Sequence, residues 1–290
     1  MNQGSSRLPS GQDITRSAAQ DVHRLRLLSC NILAGGRMRG YRDYVTHSWK
    51  HVLPTGKRAN LDGLAAVISD FDMVALQEAD AGSLRSGFTN QTQYLAERAG
   101  FPFWSHQPNR RVSRLANSSN GLLARTAPDE VLDYPLPGRI PGRGALWSRF
   151  GAGESALIVV VAHLSLGPSA RVRQLDFLAE LIGDHANVVL MGDLNTVPDS
   201  AELRALYART SLTPPADSPA TFPSWRPRRA LDHILVSRTL QIERLWTLAH
   251  PVSDHLPIAA SVRLPASPWV VVDDTGGPAP ALHSADRSRG

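Results

Sequence analysis

Short apolar runs that end on polar side chains are the feature that most limits what this chain can fold into. Runs such as VVLM and LIVVVA are typical of buried strands. The polar residues at or next to the ends of these runs are Asn31, Gln77, Glu78, His163, Asp193, Asn195, Asp232, His233, Ser253, Asp254 and His255. If neighbouring strand ends meet at one edge of a sheet, these side chains converge in one cleft.

Helical patterns alternate with the strands. Apolar residues recur at helical spacing over 58–69, and Gly100 is a stop signal after a helix over 90–99. Ser169 is the predicted cap of a helix that ends before Gly183, and a fourth helix is predicted over 200–209. Strands are predicted over 25–31, 72–78, 120–125, 145–150, 155–164, 187–193, 231–237, 240–248 and 256–264. This mixed order favours a sheet-rich α/β protein over a doubly wound parallel sheet.

One folded domain is predicted over 24–266. Residues 1–23 are polar without periodicity, which predicts a disordered N-terminal segment. Residues 267–290 are mostly small or polar with several prolines, which predicts a flexible C-terminal tail. The chain has 290 residues, 42% of them hydrophobic, so the part between these ends is long enough to bury a large core.

Composition excludes several classes of protein. The single cysteine, Cys30, excludes an intrachain disulfide framework and a cysteine-built zinc site, and we interpret it as a buried filler. No apolar stretch approaches 18 residues, and the first twenty residues lack the apolar core of a secretory signal. We therefore expect a cytoplasmic protein without a transmembrane segment, with peripheral association with anionic surfaces left open.

The charge balance favours a polyanionic partner. The formal net charge is +5 and the sequence pI is about 9.9. Lys50 and Lys57 are the only lysines, however, and such an excess of arginine also follows from genomic base composition. The charge is therefore supporting evidence only.

The strand-end residues suit metal-assisted acid–base chemistry. Carboxylate and amide oxygens bind hard divalent ions such as Mg²⁺ or Mn²⁺. Histidines beside carboxylates supply proton transfer and charge stabilisation. Taken singly, each motif has an ordinary structural explanation, since Asp-x-Asn is common in turns and a lone histidine is common in a core. The interpretation depends on their joint occurrence at strand ends.

Seven segments carry a resemblance to a known family. They read LLSCNI, VALQEAD, NGLLAR, VVAHLSLG, VLMGDLNTVPDS, RALDHILVS and VSDHLPIAASV. Together they resemble the endonuclease/exonuclease/phosphatase superfamily from about residue 25 to 264. The resemblance implies a four-layer α/β sandwich, with two packed mixed β-sheets flanked by helices. It also implies a site at one end of the sandwich where Mg²⁺ or Mn²⁺ assists cleavage of a phosphoester substrate.

The resemblance also implies a metal-binding set. Glu78 matches the principal metal-ligating carboxylate of the family. Asn31 matches the first-strand asparagine that holds the metal shell or the substrate phosphate, and Asp254 matches a further carboxylate on the metal side.

A catalytic set follows in the same way. Asp193 matches the residue that activates the attacking water, and Asn195 the residue that orients the water or the phosphate. His255 matches the histidine that stabilises the transition state or transfers a proton, with Asp232 as its partner, which should raise the pKa of His255. His163 would contact the scissile phosphate. Phosphoryl transfer needs this combination of charge neutralisation and an aligned nucleophile.

Substrate choice is expected to lie in three other segments. Residues 101–114 and 222–233 combine aromatic side chains with arginines, which can stack on bases and pair with phosphates. From the second segment we select Trp225 and Arg229 as substrate-binding residues. Asn120 is selected from the polar run 117–120, in which the residue facing the site is left open. Residues 37–57 are interpreted as a specificity loop.

Three functions remain open from the sequence. The first is a metal-dependent phosphodiesterase or nuclease acting on nucleic acid. The second is the same chemistry on a phospholipid, a sphingolipid or a small phosphorylated molecule, because an aromatic–arginine rim also suits a lipid headgroup. The third is a non-catalytic binding module, which the presence of every expected catalytic side chain disfavours. No stable protein partner is inferred.

Overall fold

The computed structural model describes residues 23–32, 57–82, 89–112, 116–138 and 143–265. The predicted disordered segment 1–23, the specificity loop 37–57 and the C-terminal tail 267–290 lie outside these ranges, apart from His23 and Lys57 at their edges. No helix in the described ranges is long and apolar enough to cross a membrane.

Six strands form the first sheet. They are β1 (Arg24–Asn31), β2 (Met73–Asp80), β3 (Phe103–Val112), β4 (Ala116–Ala124), β11 (Gln241–Thr247) and β12 (Ile258–Arg263). Their spatial order is β11-β12-β1-β2-β4-β3. β1 runs parallel to β2 and antiparallel to β12, so the sheet is mixed.

Six further strands form the second sheet. They are β5 (Glu130–Pro135), β6 (Gly144–Phe150), β7 (Leu157–His163), β8 (Asn187–Asp193), β9 (Leu212–Thr213) and β10 (Asp232–Ser237). Their spatial order is β5-β6-β7-β8-β10-β9. The central pair β7–β8 is parallel and fully buried, as expected for runs of β-branched residues covered on both faces.

Helices cover the outer face of each sheet. The four in the described ranges are α1 (Lys57–Ile68), α2 (Gln91–Ala99), α3 (Pro168–Ile182) and α4 (Ala201–Arg209). One apolar core fills the space between the two sheets. A second core joins α1 and α2 to the first sheet, and a third joins α3 and α4 to the second sheet. The expected four-layer α/β sandwich is therefore confirmed.

The predicted helix cap Ser169 is wrong, whereas two other residues do cap helices. The side chains of Asn90 and Ser200 accept hydrogen bonds from backbone N–H groups in the first turns of α2 and α4. Ser169, by contrast, lies inside the first turn of α3, because the helix begins at Pro168 after Gly167. Proline suits the first helical position, since its fixed φ matches the helix and it has no N–H to leave unpaired.

The segment 101–114 is largely a core strand and not a rim of the cleft. It forms β3, which pairs with β4 along its length. Phe101 and Phe103 are buried in the outer and inner cores of the first sheet. Trp104 packs against the outer core and stacks on His106 at 5.7 Å between ring centroids. The expectation that these aromatic rings bind substrate was therefore wrong for the phenylalanines. The side chains of Arg110, Arg111 and Arg114 lie outside the described part.

Candidate functional site

The alternation of side chains along the strands brings the polar residues together. Leu27, Val161, Met191 and Ile234 belong to the core between the sheets. Residues two apart on a strand share a face, so the same inner faces continue to the strand ends. The inner-face residues at these ends are Asn31, Gln77, His163, Asp193 and Asp232. The candidate site therefore lies between the sheets at one end of the sandwich.

Asp193 lies at the centre of the contacts within the site. Asn31, from the first sheet, donates an amide N–H to Asp193 Oδ2 at 3.3 Å. The Nε2 atoms of His163 and His255 lie 3.4 and 3.9 Å from the same oxygen. The backbone N–H of Asn195 donates to Asp193 Oδ1 at 3.0 Å. Both sheets and both histidines thus meet at one buried carboxylate.

These contacts keep Asp193 ionised. Burial alone would raise the pKa of its carboxyl group, because a low-dielectric surrounding disfavours charge. The hydrogen bond and charge interaction with His163, together with the charge of His255, outweigh burial and hold that pKa well below its usual range. Asp193 is therefore an acceptor for hydrogen bonds, and only a weak base.

His255 and Asp232 form a buried pair. Nδ1 of His255 lies 2.7 Å from Asp232 Oδ2. Burial favours the neutral ring, but the charge and hydrogen bond of Asp232, helped by Asp193 and Asp254, raise the pKa of His255 to about 10. The expected rise is confirmed. A histidine that is cationic at neutral pH can donate a proton or stabilise negative charge, and it cannot serve as the base.

Glu78 reaches the site through an irregularity in β2. The pairing register of β2 with β4 shifts between Leu76 and Ala79, which marks a bulge at this point. Glu78 has φ 59°, and Asn195 has φ 52°, both in the left-handed region that non-glycine residues seldom adopt. Oε1 of Glu78 lies 3.8 Å from His163 Nε2. The two strained positions both belong to the candidate site, where such strain is usually found.

Three carboxylates of the site, Glu78, Asp193 and Asp254, are close enough to interact electrostatically. Burial raises the pKa of Asp254, and the charges of Glu78 and Asp193 raise it further, against the opposing effect of His255. The raised pKa of Asp254 therefore reflects its burial first and the neighbouring carboxylates second. Hard divalent cations take oxygen ligands, so the chemistry of Glu78 and Asp254, with the amide oxygen of Asn31, fits Mg²⁺ or Mn²⁺.

A second set of donors overlaps the first. Within the described ranges, Asp193, Asp232 and His255 bring ligand atoms within 4.8 Å of one another and could hold a metal ion. Oδ1 of Asp232 is buried and has no partner among the described residues. One donor of this set is a ring nitrogen of His255, and Nδ1 of this ring already bonds Asp232. A hard cation therefore suits this set less well than the oxygen donors of Glu78, Asp254 and Asn31.

The segment that carries Trp225 and Arg229 lies against His255. The Phe222 ring is 5.0 Å from the His255 ring, tilted by 52°. The backbone N–H of Ser224 donates to the Asp254 carbonyl at 2.7 Å. We call residues 222–229 the arginine loop, because its arginines, Arg226, Arg228 and Arg229, are all exposed. The structure thus places the half-buried Trp225 and the exposed Arg229 in a loop beside His255. Their contact with substrate stays a prediction.

Asn120 links the two sheets near the site. Its amide nitrogen donates to the Gly144 carbonyl at 2.8 Å and to Gln107 Oε1 at 3.3 Å. Its Oδ1 is buried without a partner among the described residues. Asn120 lies on β4 opposite the bulge that contains Glu78. These bonds give Asn120 a structural task, and its role in substrate binding stays a prediction.

Two side chains in the site were not found from the sequence. Phe222 packs on His255, and its place in the same aromatic–arginine segment as Trp225 was a signal that could have identified it. Nη1 of Arg143 lies 2.6 Å from both ring nitrogens of His163. Arg143 precedes β6 without any motif around it, so no sequence signal indicated a role.

Comparisons with known proteins agree with this geometry. The sequence profile described as "Endonuclease/Exonuclease/phosphatase family" matches residues 28–255. No curated protein sequence matches the chain.

Solved structures share the fold at low identity. An endonuclease/exonuclease/phosphatase from Beutenbergia cavernae is 20% identical with a TM-score of 0.64, over 83% of this chain and 72% of that one. A mannosyl-6-phosphatase from Bacteroides thetaiotaomicron is 17% identical with a TM-score of 0.59, over 82% and 99%. D. rerio TDP2 complexed with single-strand DNA product is 17% identical with a TM-score of 0.58, over 82% and 98%.

The family profile spans the chain from the middle of β1 to His255, and thus from the first site residue to the last. The strand order, the helix layers and the polar end of the sandwich agree with that match. The chain belongs to the endonuclease/exonuclease/phosphatase family.

Proposed function

We propose that the protein hydrolyses phosphodiester bonds of nucleic acid with the help of a divalent cation. The observation that carries this proposal is the arrangement of charge around Asp193. Cationic His255 lies 3.9 Å from Asp193 Oδ2, and the charges of Glu78 and Asp193 both act on the nearby carboxyl group of Asp254. A phosphate held between a cation site and a charged histidine has the charge neutralisation that phosphoryl transfer requires.

Each side chain then has a task that its contacts support. Ionised Asp193 orients the attacking water by accepting a hydrogen bond and takes its proton as the new P–O bond forms. Asn195 fixes Asp193 through its backbone N–H. His255, held by Asp232, stabilises charge on the phosphate and donates a proton to the leaving oxygen. A cation held by Glu78, Asp254 and Asn31 would lower the pKa of water and polarise the phosphate. His163 lies against the phosphate position.

Nucleic acid is favoured by the arginine loop. Three exposed arginines and Trp225 lie in a loop that touches His255. Arginines pair with backbone phosphates and an aromatic face stacks on a base, which together give binding with little sequence preference. The similarity in fold to a protein seen with single-strand DNA product adds support.

A substrate panel tests the proposal. Single-stranded DNA, plasmid DNA, RNA, bis-p-nitrophenyl phosphate, sphingomyelin vesicles and phosphomonoesters should each be incubated with Mg²⁺, with Mn²⁺ and with EDTA. We expect metal-dependent cleavage of nucleic acid and of the bis-ester. Glu78→Gln keeps the shape of the side chain and removes its charge, so we expect a loss of about a hundredfold or more. Metal-independent turnover, or near-normal turnover of Glu78→Gln at saturating metal, would contradict the proposal.

One observation favours a phospholipid as the second candidate substrate. Leu166, three residues after His163, is 75% exposed, and its carbonyl is held by the guanidinium of Arg171. A fixed apolar side chain near the site could enter a lipid surface while the arginine loop contacts headgroups. In that case Leu166→Asn would lower hydrolysis of vesicles and leave hydrolysis of bis-p-nitrophenyl phosphate unchanged. Cleavage of nucleic acid but not of vesicles would reject this candidate.

A further inference from the structure

We propose that Arg143 binds the substrate phosphate directly, as a phosphate contact of this chain that does not depend on the metal. The inference rests on the proposed function, since it assigns a residue to the same site. It begins from the contact between Arg143 and His163.

The fold holds Arg143 at the edge of the site. Arg143 immediately precedes β6, and its carbonyl accepts the backbone N–H of Leu136 at 3.0 Å, which closes the β5–β6 hairpin. The side chain is half-buried. Its Nη1 lies 2.6 Å from both nitrogens of the His163 ring. The backbone of Arg143 is therefore held in place, and its guanidinium faces the His163 ring.

The hydrogen-bond donors of Arg143 determine what its guanidinium would do when a phosphate enters. A guanidinium remains charged at all working pH and has only donors. Nη1 of Arg143 faces the His163 ring and is equally far from its two nitrogens, so this contact is not a hydrogen bond directed at either nitrogen. A charge-assisted bond from a guanidinium N–H to a phosphate oxygen is among the stronger hydrogen bonds in proteins. A phosphate that enters beside His163 would therefore accept such a bond from Arg143.

This contact would complement the cation. His163 Nε2 is 3.8 Å from Glu78 and 3.4 Å from Asp193, so a phosphate beside this ring is also beside the proposed water and cation positions. Arg143 would neutralise one phosphate oxygen, and a cation held by Glu78 would supply further positive charge. The planar fork of arginine matches phosphate geometry, which a lysine in its place would reproduce only as a point charge.

Kinetics of Arg143 variants provide the first test. We expect Arg143→Met to lower kcat/KM for bis-p-nitrophenyl phosphate by roughly ten- to a hundredfold, as for loss of one charged phosphate contact. Arg143→Lys should recover only part of the loss. Added guanidinium should restore activity to Arg143→Ala, and added ammonium should restore less. Arg149→Met is the matched control, because Arg149 lies near the other end of β6 and pairs with Glu130 at 3.3 Å; it should leave kcat/KM unchanged.

Phosphate binding without metal provides the second test. Calorimetry with inorganic phosphate in EDTA should show weaker binding to Arg143→Met than to wild type. The same comparison in a His163→Gln background separates direct binding from an effect through His163. Direct binding predicts that Arg143→Met still weakens phosphate binding there, whereas no further change would make Arg143 a positioning residue and overturn the inference.

The outcomes separate this inference from the proposed function. Wild-type kcat/KM and wild-type phosphate affinity in Arg143→Met would reject the inference and leave the proposed function standing. A wild-type protein that cleaves nothing in the panel, yet loses phosphate affinity in Arg143→Met, would reject the function and keep the phosphate contact. If Arg143→Met melts at a much lower temperature, two other measurements replace it: the activity of Arg143→Lys and guanidinium rescue of folded Arg143→Ala. If Arg143→Lys recovers no activity and guanidinium rescues none, the inference is overturned.

Discussion

At the scale of single residues, the buried pair of His255 and Asp232 determines how the site responds to pH. The pKa of His255 is raised from its ordinary 6.5 to about 10. A raised pKa in the folded state stabilises the fold below pH 6.5, and this stabilisation is lost as pH rises from 6.5 to about 10. The fold is therefore most stable when His255 is protonated, which is also the state that the proposed chemistry uses.

We predict this pH dependence in metal-free protein. The free energy of unfolding of wild type minus that of His255→Gln should be largest below pH 6.5. It should fall by up to about 1.4 kcal/mol per pH unit on the way to pH 10. Denaturant titrations in EDTA at several pH values measure it. Asp232→Asn removes the main cause of the raised pKa, so in that background the slope should nearly vanish; an unchanged slope would contradict the assignment.

The same pair makes a kinetic prediction. Asp232→Asn should lower turnover strongly with little change in substrate affinity, because the amide can hold the ring in the wrong tautomer. His255→Ala should be at least as damaging. The double variant should be hardly worse than His255→Ala alone, since the two residues act as one unit. Steady-state kinetics on the bis-ester would show it, and losses that multiply would remove Asp232 from the catalytic set.

The sequence identified most residues of the site and missed others for a definable reason. Asn31, His163 and Asp193 follow apolar runs, and the period-2 alternation of a strand places them on the inner face. Arg143 and Phe222 reach the site through tertiary contacts of loops. The aromatic–arginine segment 222–233 was a signal for Phe222, but no local pattern encodes the contact of Arg143 with His163, which could be found only in three dimensions.

At the scale of elements, one arginine fastens two helices to the first sheet. Arg125, just after β4, donates to the carbonyls of Ser69 and Gly100 at 2.5 Å and of Phe71 at 3.3 Å. Ser69 follows α1 and Gly100 follows α2. The guanidinium also lies 4.2 Å from the centroid of the Phe101 ring. Arg125 thus satisfies backbone acceptors just beyond the C-terminal ends of both outer helices.

We predict that Arg125→Lys destabilises the fold. An ammonium group cannot reach three carbonyls in different directions, so unpaired acceptors should cost about 1–3 kcal/mol of unfolding free energy. Arg98→Lys is the control, because Arg98 forms an exposed ion pair with Asp62 that should contribute little. Urea titrations of both variants measure the difference. Equal stability of the two variants would show that the Arg125 contacts contribute nothing.

The predicted strands were accurate where the apolar pattern was strong. The prediction was wrong where the same side chains suit both a buried strand and a surface segment. The strand over 187–193 agrees with β8 in both bounds. The aromatic and arginine residues of 101–114 indicated a surface segment, yet pairing with β4 makes most of it a strand. Aromatic side chains serve a strand and a binding rim equally well, and only the identity of the neighbouring strand decides between them.

At the scale of the whole molecule, the site exists only when the two sheets are packed. Asn31 and Glu78 come from the first sheet, whereas His163, Asp193 and Asp232 come from the second. The sequence predicted this sandwich and its polar end through the family resemblance. It did not determine the substrate, because substrate contacts depend on loops and not on the shared strands.

We predict that activity and global structure are lost together. Because each sheet supplies essential groups, no partly unfolded form with one intact sheet should retain turnover. Urea titrations followed by hydrolysis of bis-p-nitrophenyl phosphate and by far-ultraviolet circular dichroism should have the same midpoint. Loss of activity at a clearly lower urea concentration would show that the site opens before the sandwich does.

The attachment of the arginine loop bears on how such a protein can diverge. The loop is joined to the segment before β12 by a hydrogen bond from the backbone N–H of Ser224 to the carbonyl of Asp254. Backbone hydrogen bonds between Phe222 and Arg229 close the loop on itself. Main-chain bonds are largely indifferent to which side chains the residues carry. Positions 225, 226, 228 and 229 can therefore vary during evolution without moving His255, so a change of substrate need not cost the chemistry.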